Sequence, residues 1–251
     1  MTIFGPEIIQ WTFLFFCRIG ACLMIIPGFS TQRIPVRVRL FIAIAITLAI
    51  TPLLLTMVEN RVPDNTPVGM TLMIVAEIIK GAIIGLMGQM FMLSMQFAAS
   101  AMAMFIGMGT MPGTPIEGAE PVPSLVALLT LTATVLIFVT DLHHEVIRAL
   151  LASYEVSGVG ELPLMRLQLN ELVSKLSTAM FLAMQVSSPF LIYAVIANLS
   201  IGLLNKLTPQ VPIYFISLPF ILLGGLFLLF FVSDEMLQVF MRGYGEWLRN
   251  G

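Results

Sequence analysis

Charged side chains are missing from three long intervals of the chain. Thirty residues separate Lys175 from Lys206, thirty-six separate Lys80 from Glu117, and twenty-seven separate Lys206 from Asp234. A bilayer core takes about 20 apolar residues per spanning helix, and a soluble fold rarely excludes ions from runs of this length. Six apolar segments follow from the pattern, at about 8–27, 38–57, 70–106, 124–140, 176–204 and 211–232. They are apolar all round, as buried or lipid-facing helices are, so three- and four-residue spacing does not orient them.

Proline and glycine mark the junctions: Pro27-Gly28, Pro63 and Pro67, Gly107 to Pro123, Gly158 to Pro163, and Pro209 to Pro212. Pro52, Pro189 and Pro219 fall inside or near helical runs, where they should kink or end a helix. Such breaks are tolerated at membrane depth only where protein or a water-filled cavity covers the freed backbone. Spanning runs that carry Pro, Gly, Gln and Asn fit a conduit better than an anchor.

The third segment exceeds one crossing. Residues 70–106 would form a helix of about 55 Å, so this is either one long helix or two helices meeting near Gln96–Ser100. Glu77 and Lys80 sit three apart on one face and can pair. They are either a helix end at the interface with Lys80 snorkelling, or a buried pair facing a neighbouring subunit. Reversing either charge alone should then impair assembly more than the double swap. Gly81, Gly85 and Gly88 continue on nearly the same side, a spacing that lets helices approach closely.

Composition agrees: 58% of residues are hydrophobic and 10% charged, against about 25% charged in a soluble domain. The net charge of −2 gives no reason to expect nucleic acid or an acidic substrate. Glu7 precedes the first apolar run without a basic n-region or a small-residue cleavage site, so the first helix is expected to be retained. Arg33, Arg37 and Arg39 place the first loop in the cytoplasm by the positive-inside rule. Arg242 and Arg249 are offset by Asp234, Glu235 and Glu246, and the two ends disagree for an even number of crossings. Cys17 and Cys22 lie about 140° apart on a helix, so they are read as packing residues.

No GxSxG, Walker A loop or dinucleotide fingerprint is present, and no catalytic residue or cofactor is expected. Asp141-Leu-His143-His144-Glu145 is the one dense group of metal-capable residues. Adjacent helical residues point about 100° apart, so His143 and His144 should not converge, and the group is read as a polar helix end without metal. Residues 107–124 hold four prolines and four glycines and cannot continue a helix. They cap a hairpin, either as a plain surface loop or as a re-entrant loop in a pore. In the second case Met102, Met104, Phe105, Ile106, Met108 and Met111 could seal and yield. Gln185, Ser187, Ser188 and Pro189 form the best candidate for a small-molecule site at a broken helix.

Several stretches together resemble one family. Arg33-Ile-Pro35-Val-Arg37 follows the Pro27-Gly28-Phe29 break; Glu77, Gly81, Gly85 and Gln96 come next. Asp141-Leu-His143 leads to Ile147 and Ser153-Tyr154. The most specific stretch runs from Asn198 through Gly202, Asn205-Lys206, Pro209-Gln210 and Ser217 to Pro219. This order is similar to the FliR family of flagellar type III export-gate subunits and to its virulence-secretion relatives. The resemblance covers nearly the whole chain and implies an all-α fold of helical hairpins, a FliP-like part (about 1–169) joined to a FliQ-like part (about 170–251). It implies a non-enzymatic subunit of a helical gate with FliP-like and FliQ-like partners, contacts with FlhB and FlhA, passage of unfolded flagellar substrates, and an inner-membrane location in the basal body.

By position, the loop at 106–123 would plug the pore, with Phe105, Ile106, Met108, Met111, Pro112, Ile116 and Glu117 at the seal. Arg33, Glu77, Lys80, Gln96, Asn198, Gly202, Pro209, Gln210 and Pro219 would serve subunit interfaces. The loop departs from the family in its Pro and Gly content and in carrying Glu117 and Glu120. A virulence injectisome subunit and a small-molecule transporter are the competing readings.

Overall fold

A computed structural model describes residues 6–31, 34–58, 66–109, 123–161 and 165–249. Among these residues the fold is all-α, with no strand: α1 (Pro6–Ile25), α2 (Val36–Val58), α3 (Pro67–Phe105), α4 (Ser124–Val139), α5 (Leu142–Val156), α6 (Met165–Leu207) and α7 (Ile213–Arg249). Five of these helices are long and apolar enough to cross a membrane, and α4 with α5 passes the same test as a broken span.

The third apolar segment is one unbroken helix of 39 residues, about 58 Å long at 1.5 Å per residue. Pro52, Pro189 and Pro219 lie inside α2, α6 and α7, and none of them ends its helix. The Pro27-Gly28 break does end α1: Gly28 takes φ 88°, a conformation that costs other residues a Cβ clash. One helix, α5, lies outside all six apolar runs. In α5 the residues Leu142, Val146, Leu150 and Tyr154 are buried, a stripe at four-residue spacing that turns one face of a largely polar segment inward.

The chain divides into two compact units that are not consecutive segments. The first comprises Met1–Met90, Asp141–Leu176 and Leu248–Gly251; the second comprises Phe91–Thr140 and Ser177–Trp247. In the first, α1 buries Leu14, Phe15, Ile19, Cys22 and Leu23. The inward stripe of α2 is Arg39, Ala43, Thr47, Thr51 and Leu54. Thr47 and Thr51 donate their hydroxyls to the carbonyls of Ala43 and Thr47 at 2.7 Å, which satisfies both groups inside an apolar helix. Cys17 and Cys22 are buried free thiols.

In the second unit, the C-terminal part of α3 contributes Phe91, Met95, Ala98 and Met102, and Ile106 follows directly after it, each at most 1% exposed. Their three- and four-residue spacing is a helical core face. Phe91 meets Phe240 and Tyr244 of α7 at ring-centroid distances of 5.2 and 5.3 Å, a range in which tilted aromatic pairs attract. The helices α6 and α7 form an antiparallel hairpin: the Tyr193 hydroxyl donates to the Ile221 carbonyl at 2.7 Å, and Leu182 lies against Gly243.

Candidate functional site

Two features stand out: a fully buried charge cluster in the first unit, and an uncovered hairpin in the second. The cluster is built on α1, α3, the last turn of α5 and the segment after it. Glu77 Oε2 accepts from Arg18 Nε at 2.7 Å, and Oε1 accepts from Arg18 Nη2 at 3.0 Å, a bidentate fork. Oε1 also accepts from Lys80 Nζ at 3.2 Å and from the Gly160 N–H at 2.9 Å. Arg18 and Glu77 are 0% exposed.

The remaining Arg18 donors are also used. Nη1 reaches the Ser153 carbonyl and hydroxyl, both at 3.1 Å, and Nη2 reaches the Ser157 carbonyl at 3.2 Å. All five guanidinium N–H groups therefore have acceptors. The Arg18 Cζ lies 3.9 Å from the Tyr154 ring centroid, within cation–π range. Lys80 Nζ donates to the Gly158 carbonyl at 2.6 Å.

Two cations against one carboxylate leave a formal charge of +1. The carbonyls of Ser153, Ser157 and Gly158 lie at the C-terminal end of α5, which carries roughly half a negative charge. That helix end offsets about half of the excess. Taking such ions out of water is costly unless every partner is supplied, and here Arg18 and Glu77 are fully partnered. Gly160 completes the geometry: its φ of 78° presents the N–H to Glu77, and a Cβ there would also strike the Met73 side chain.

The glycine stripe on α3 brings this cluster together. A Cβ on Gly81 would collide with the backbone carbonyl of Arg18. One on Gly85 would lie 2.9 Å from both the Cys22 carbonyl oxygen and Ile25 Cβ, and one on Gly88 would lie 3.1 Å from Ile26 Cγ1. The three glycines thus let α1 and α3 approach backbone to backbone. That approach sets Arg18 opposite Glu77, one helical turn before Gly81.

Glu77 and Lys80 do pair, as their spacing predicts, but the expectation that they face a neighbouring subunit is corrected: α1 and the segment after α5 of this same chain enclose them. Arg18, the dominant partner, was not singled out in the sequence. Its signal is there: it is the only charged residue between Glu7 and Arg33. Arg18 also changes the charge-swap expectation, because exchanging Glu77 with Lys80 would set a lysine against Arg18. Exchanging Arg18 with Glu77 fares no better: a carboxylate at 18 would face the Ser153 and Ser157 carbonyls, and a guanidinium at 77 would face Lys80 and the Gly160 N–H.

The other sequence-derived residues are distributed differently. Asn198, Gly202, Pro209, Gln210 and Pro219 are all exposed, and Gln96 is half-buried. A Cβ on Gly202 would meet nothing within 4 Å. Around them Leu203, Leu207, Tyr214, Phe215 and Phe220 are exposed too. Only 6% of the most apolar stretch of α7 is buried within this chain. Phe105 and Met108 are half-buried and Met104 is exposed, whereas Ile106 is buried against Gly225 of α7. Arg33, Met111, Pro112, Ile116 and Glu117 lie outside the described residues.

The transporter candidate does not form a converging polar site. Ser187 and Ser188 donate to the carbonyls of Met184 and Gln185 on their own helix, at 3.3 and 2.8 Å, and Gln185 is exposed. At the start of α5 the expectation that His143 and His144 diverge is corrected: their ring centroids lie 4.1 Å apart. His144 is three residues from Asp141 and shares its face, and the His143 ring leans onto His144.

Comparison with known proteins follows the same outline. The family model described as bacterial export proteins, family 1, matches residues 9–246. The flagellar biosynthetic protein FliR of Caulobacter vibrioides is 28% identical over 239 residues, covering 94% of this chain and 93% of the relative. The protein of that name from Escherichia coli is 25% identical, covering 88% and 84%. The one from Aquifex aeolicus is 23% identical, covering 90% and 86%. With nearly its whole length matched by the family model, the chain belongs to the bacterial export proteins, family 1.

Proposed function

We propose that this chain is a non-enzymatic structural subunit of the flagellar type III protein export gate of the bacterial inner membrane. The observation that carries this reading is the α6–α7 hairpin. Its turn and the first half of α7 leave most large apolar side chains exposed, with only 6% of the most apolar stretch of α7 buried within this chain. Lipid could cover part of that surface. It gives no reason for exposed Asn198, Asn205 and Gln210 in the same element, since unpartnered amides are costly in hydrocarbon. Neighbouring protein subunits satisfy both kinds of group. The flagellar name of the relatives favours flagellar export over an injectisome.

In this reading, residues of about 1–169 form a FliP-like part and those of about 170–251 a FliQ-like part, so that one chain completes an assembly of FliP-like and FliQ-like subunits. FlhB-like and FlhA-like proteins lie beside and below it, and unfolded flagellar subunits pass through the pore. The buried cluster and glycine stripe act as internal supports for the faces that meet these partners. Affinity purification of the tagged chain from detergent-solubilised membranes is the test: FliP-like and FliQ-like proteins should co-purify. A stable solitary chain in cells that assemble flagella would reject the reading.

The loop at 106–123 would close the pore at rest. Ile106, held against Gly225, anchors its base, and Phe105 and Met108 stand at the seal with the residues beyond. Deleting residues 110–120 should leave the gate assembled while resting cells leak ions, read as loss of membrane potential by a voltage-sensitive dye. An assembled deletion mutant with unchanged potential would reject the plug.

A further inference from the structure

We propose that Asp141, His143 and His144 form a binding site for a divalent transition-metal ion of the zinc class. One ligand atom from each of the three residues lies within 4.8 Å of the other two, and His144 Nδ1 is 3.5 Å from Asp141 Oδ1. Tetrahedral zinc with bonds of about 2.0–2.2 Å requires donors roughly 3.3 Å apart. The His144–Asp141 spacing is already near that value, and rotation of the exposed His144 and Asp141 side chains toward the half-buried His143 can close the rest. Two imidazoles and one carboxylate suit zinc, copper or nickel over magnesium or calcium, which favour all-oxygen sites.

The side chains of His144 and Asp141 are 62% and 76% exposed, so a fourth position is open to water or to a residue of a neighbouring protein. The backbone prepares the cluster. Asp141 adopts φ 58°, a left-handed conformation that Asp and Asn tolerate better than most residues, and this starts α5 with the carboxylate beside the first turn. The positive end of the α5 dipole works against a cation there; the carboxylates of Asp141 and Glu145 work in its favour. None of the three residues takes part in the Arg18–Glu77–Lys80 cluster. A bound ion would tie the N-terminal end of α5 to Asp141, while the opposite end of the same helix holds Arg18.

The test uses the full-length chain purified in detergent and stripped with a chelator. Cobalt(II) is titrated while its visible d–d absorption is followed, and zinc is then added as competitor. Saturation at one equivalent is expected, with displacement by zinc and an upward shift of the unfolding temperature when zinc is present. Asp141→Asn and His144→Ala should each weaken binding by at least about tenfold, the smallest effect to expect from a ligand when outer-sphere changes alone cost 10–100-fold. Asp141→Asn keeps the left-handed tolerance, so folding is preserved. Glu155→Gln, an exposed acid further along α5, should leave binding unchanged. Absence of saturable uptake, or uptake equally strong in Asp141→Asn and His144→Ala, would overturn the proposal.

Discussion

Glu77→Gln should sharply lower the amount of folded chain in the membrane. The substitution keeps the size of the side chain and removes the charge that faces Arg18 and Lys80. Two buried cations would then stand 0% and 3% exposed with only neutral acceptors. Removing one partner of a buried ion pair costs about 3–5 kcal/mol, a large share of a total stability of roughly 5–15 kcal/mol.

Lys80→Met should be milder. It leaves the Arg18–Glu77 fork intact and formally neutral; the Gly158 carbonyl loses its donor, and Glu77 Oε1 loses one of three. Thermal unfolding of the purified chain and its abundance in membranes should both rank wild type above Lys80→Met, and Lys80→Met above Glu77→Gln. Neither the exchange of Arg18 with Glu77 nor that of Glu77 with Lys80 should recover the loss, because the first turns a carboxylate onto the Ser153 and Ser157 carbonyls and the second sets a lysine against Arg18. A Glu77→Gln chain as abundant and heat-resistant as wild type would show that the cluster contributes nothing.

The same substitution at two glycines should have opposite effects. Gly81→Ala places a methyl group into the Arg18 carbonyl, where backbone meets backbone and neither side can rotate away. Overpacking of this kind costs typically 1–3 kcal/mol, and pushing α1 outward also stretches the Arg18–Glu77 fork. Gly202→Ala meets nothing within 4 Å and replaces a helical glycine with the best helix former, a gain of about 1 kcal/mol. The isolated Gly202→Ala chain should therefore unfold at a slightly higher temperature than wild type, while Gly81→Ala unfolds well below it.

Assembly should tell the two sites apart again. If a partner helix packs against Gly202, the added methyl group blocks that approach, and Gly202→Ala lowers co-purification of partners despite the firmer chain. Equal heat stability of both variants would contradict the close contact at Gly81. Undiminished partner recovery with Gly202→Ala would remove Gly202 from the interface.

Much of the architecture was legible because bilayer-length apolar runs leave few alternatives. Each of the six segments corresponds to a helix, and Pro27-Gly28 ends α1. The long third segment stayed ambiguous in sequence, since nothing local distinguishes one 39-residue helix from two meeting near Gln96. The amphipathic helix α5 was missed: its four-residue stripe of Leu142, Val146, Leu150 and Tyr154 sits among charges that masked it.

The cluster was half legible. Glu77 and Lys80 advertise themselves by spacing, and the glycines by periodicity. Arg18 and the carbonyls at the end of α5 join them through tertiary contacts 59 and 135 or more residues away in sequence. Ser153 and Tyr154 stood out only through family resemblance, and both touch Arg18. The imidazoles of His143 and His144 were not expected to converge, an argument from helical wheel angles that ignores how far a ring can lean about its own side-chain torsions.

Photo-crosslinking from position 215 in living cells tests the central claim most directly. Phe215 is 81% exposed in this chain and stands at the start of α7, so a photoreactive phenylalanine there reports whatever covers the hairpin. The account predicts adducts with other proteins of the flagellar export apparatus. Adducts with lipid alone would contradict it.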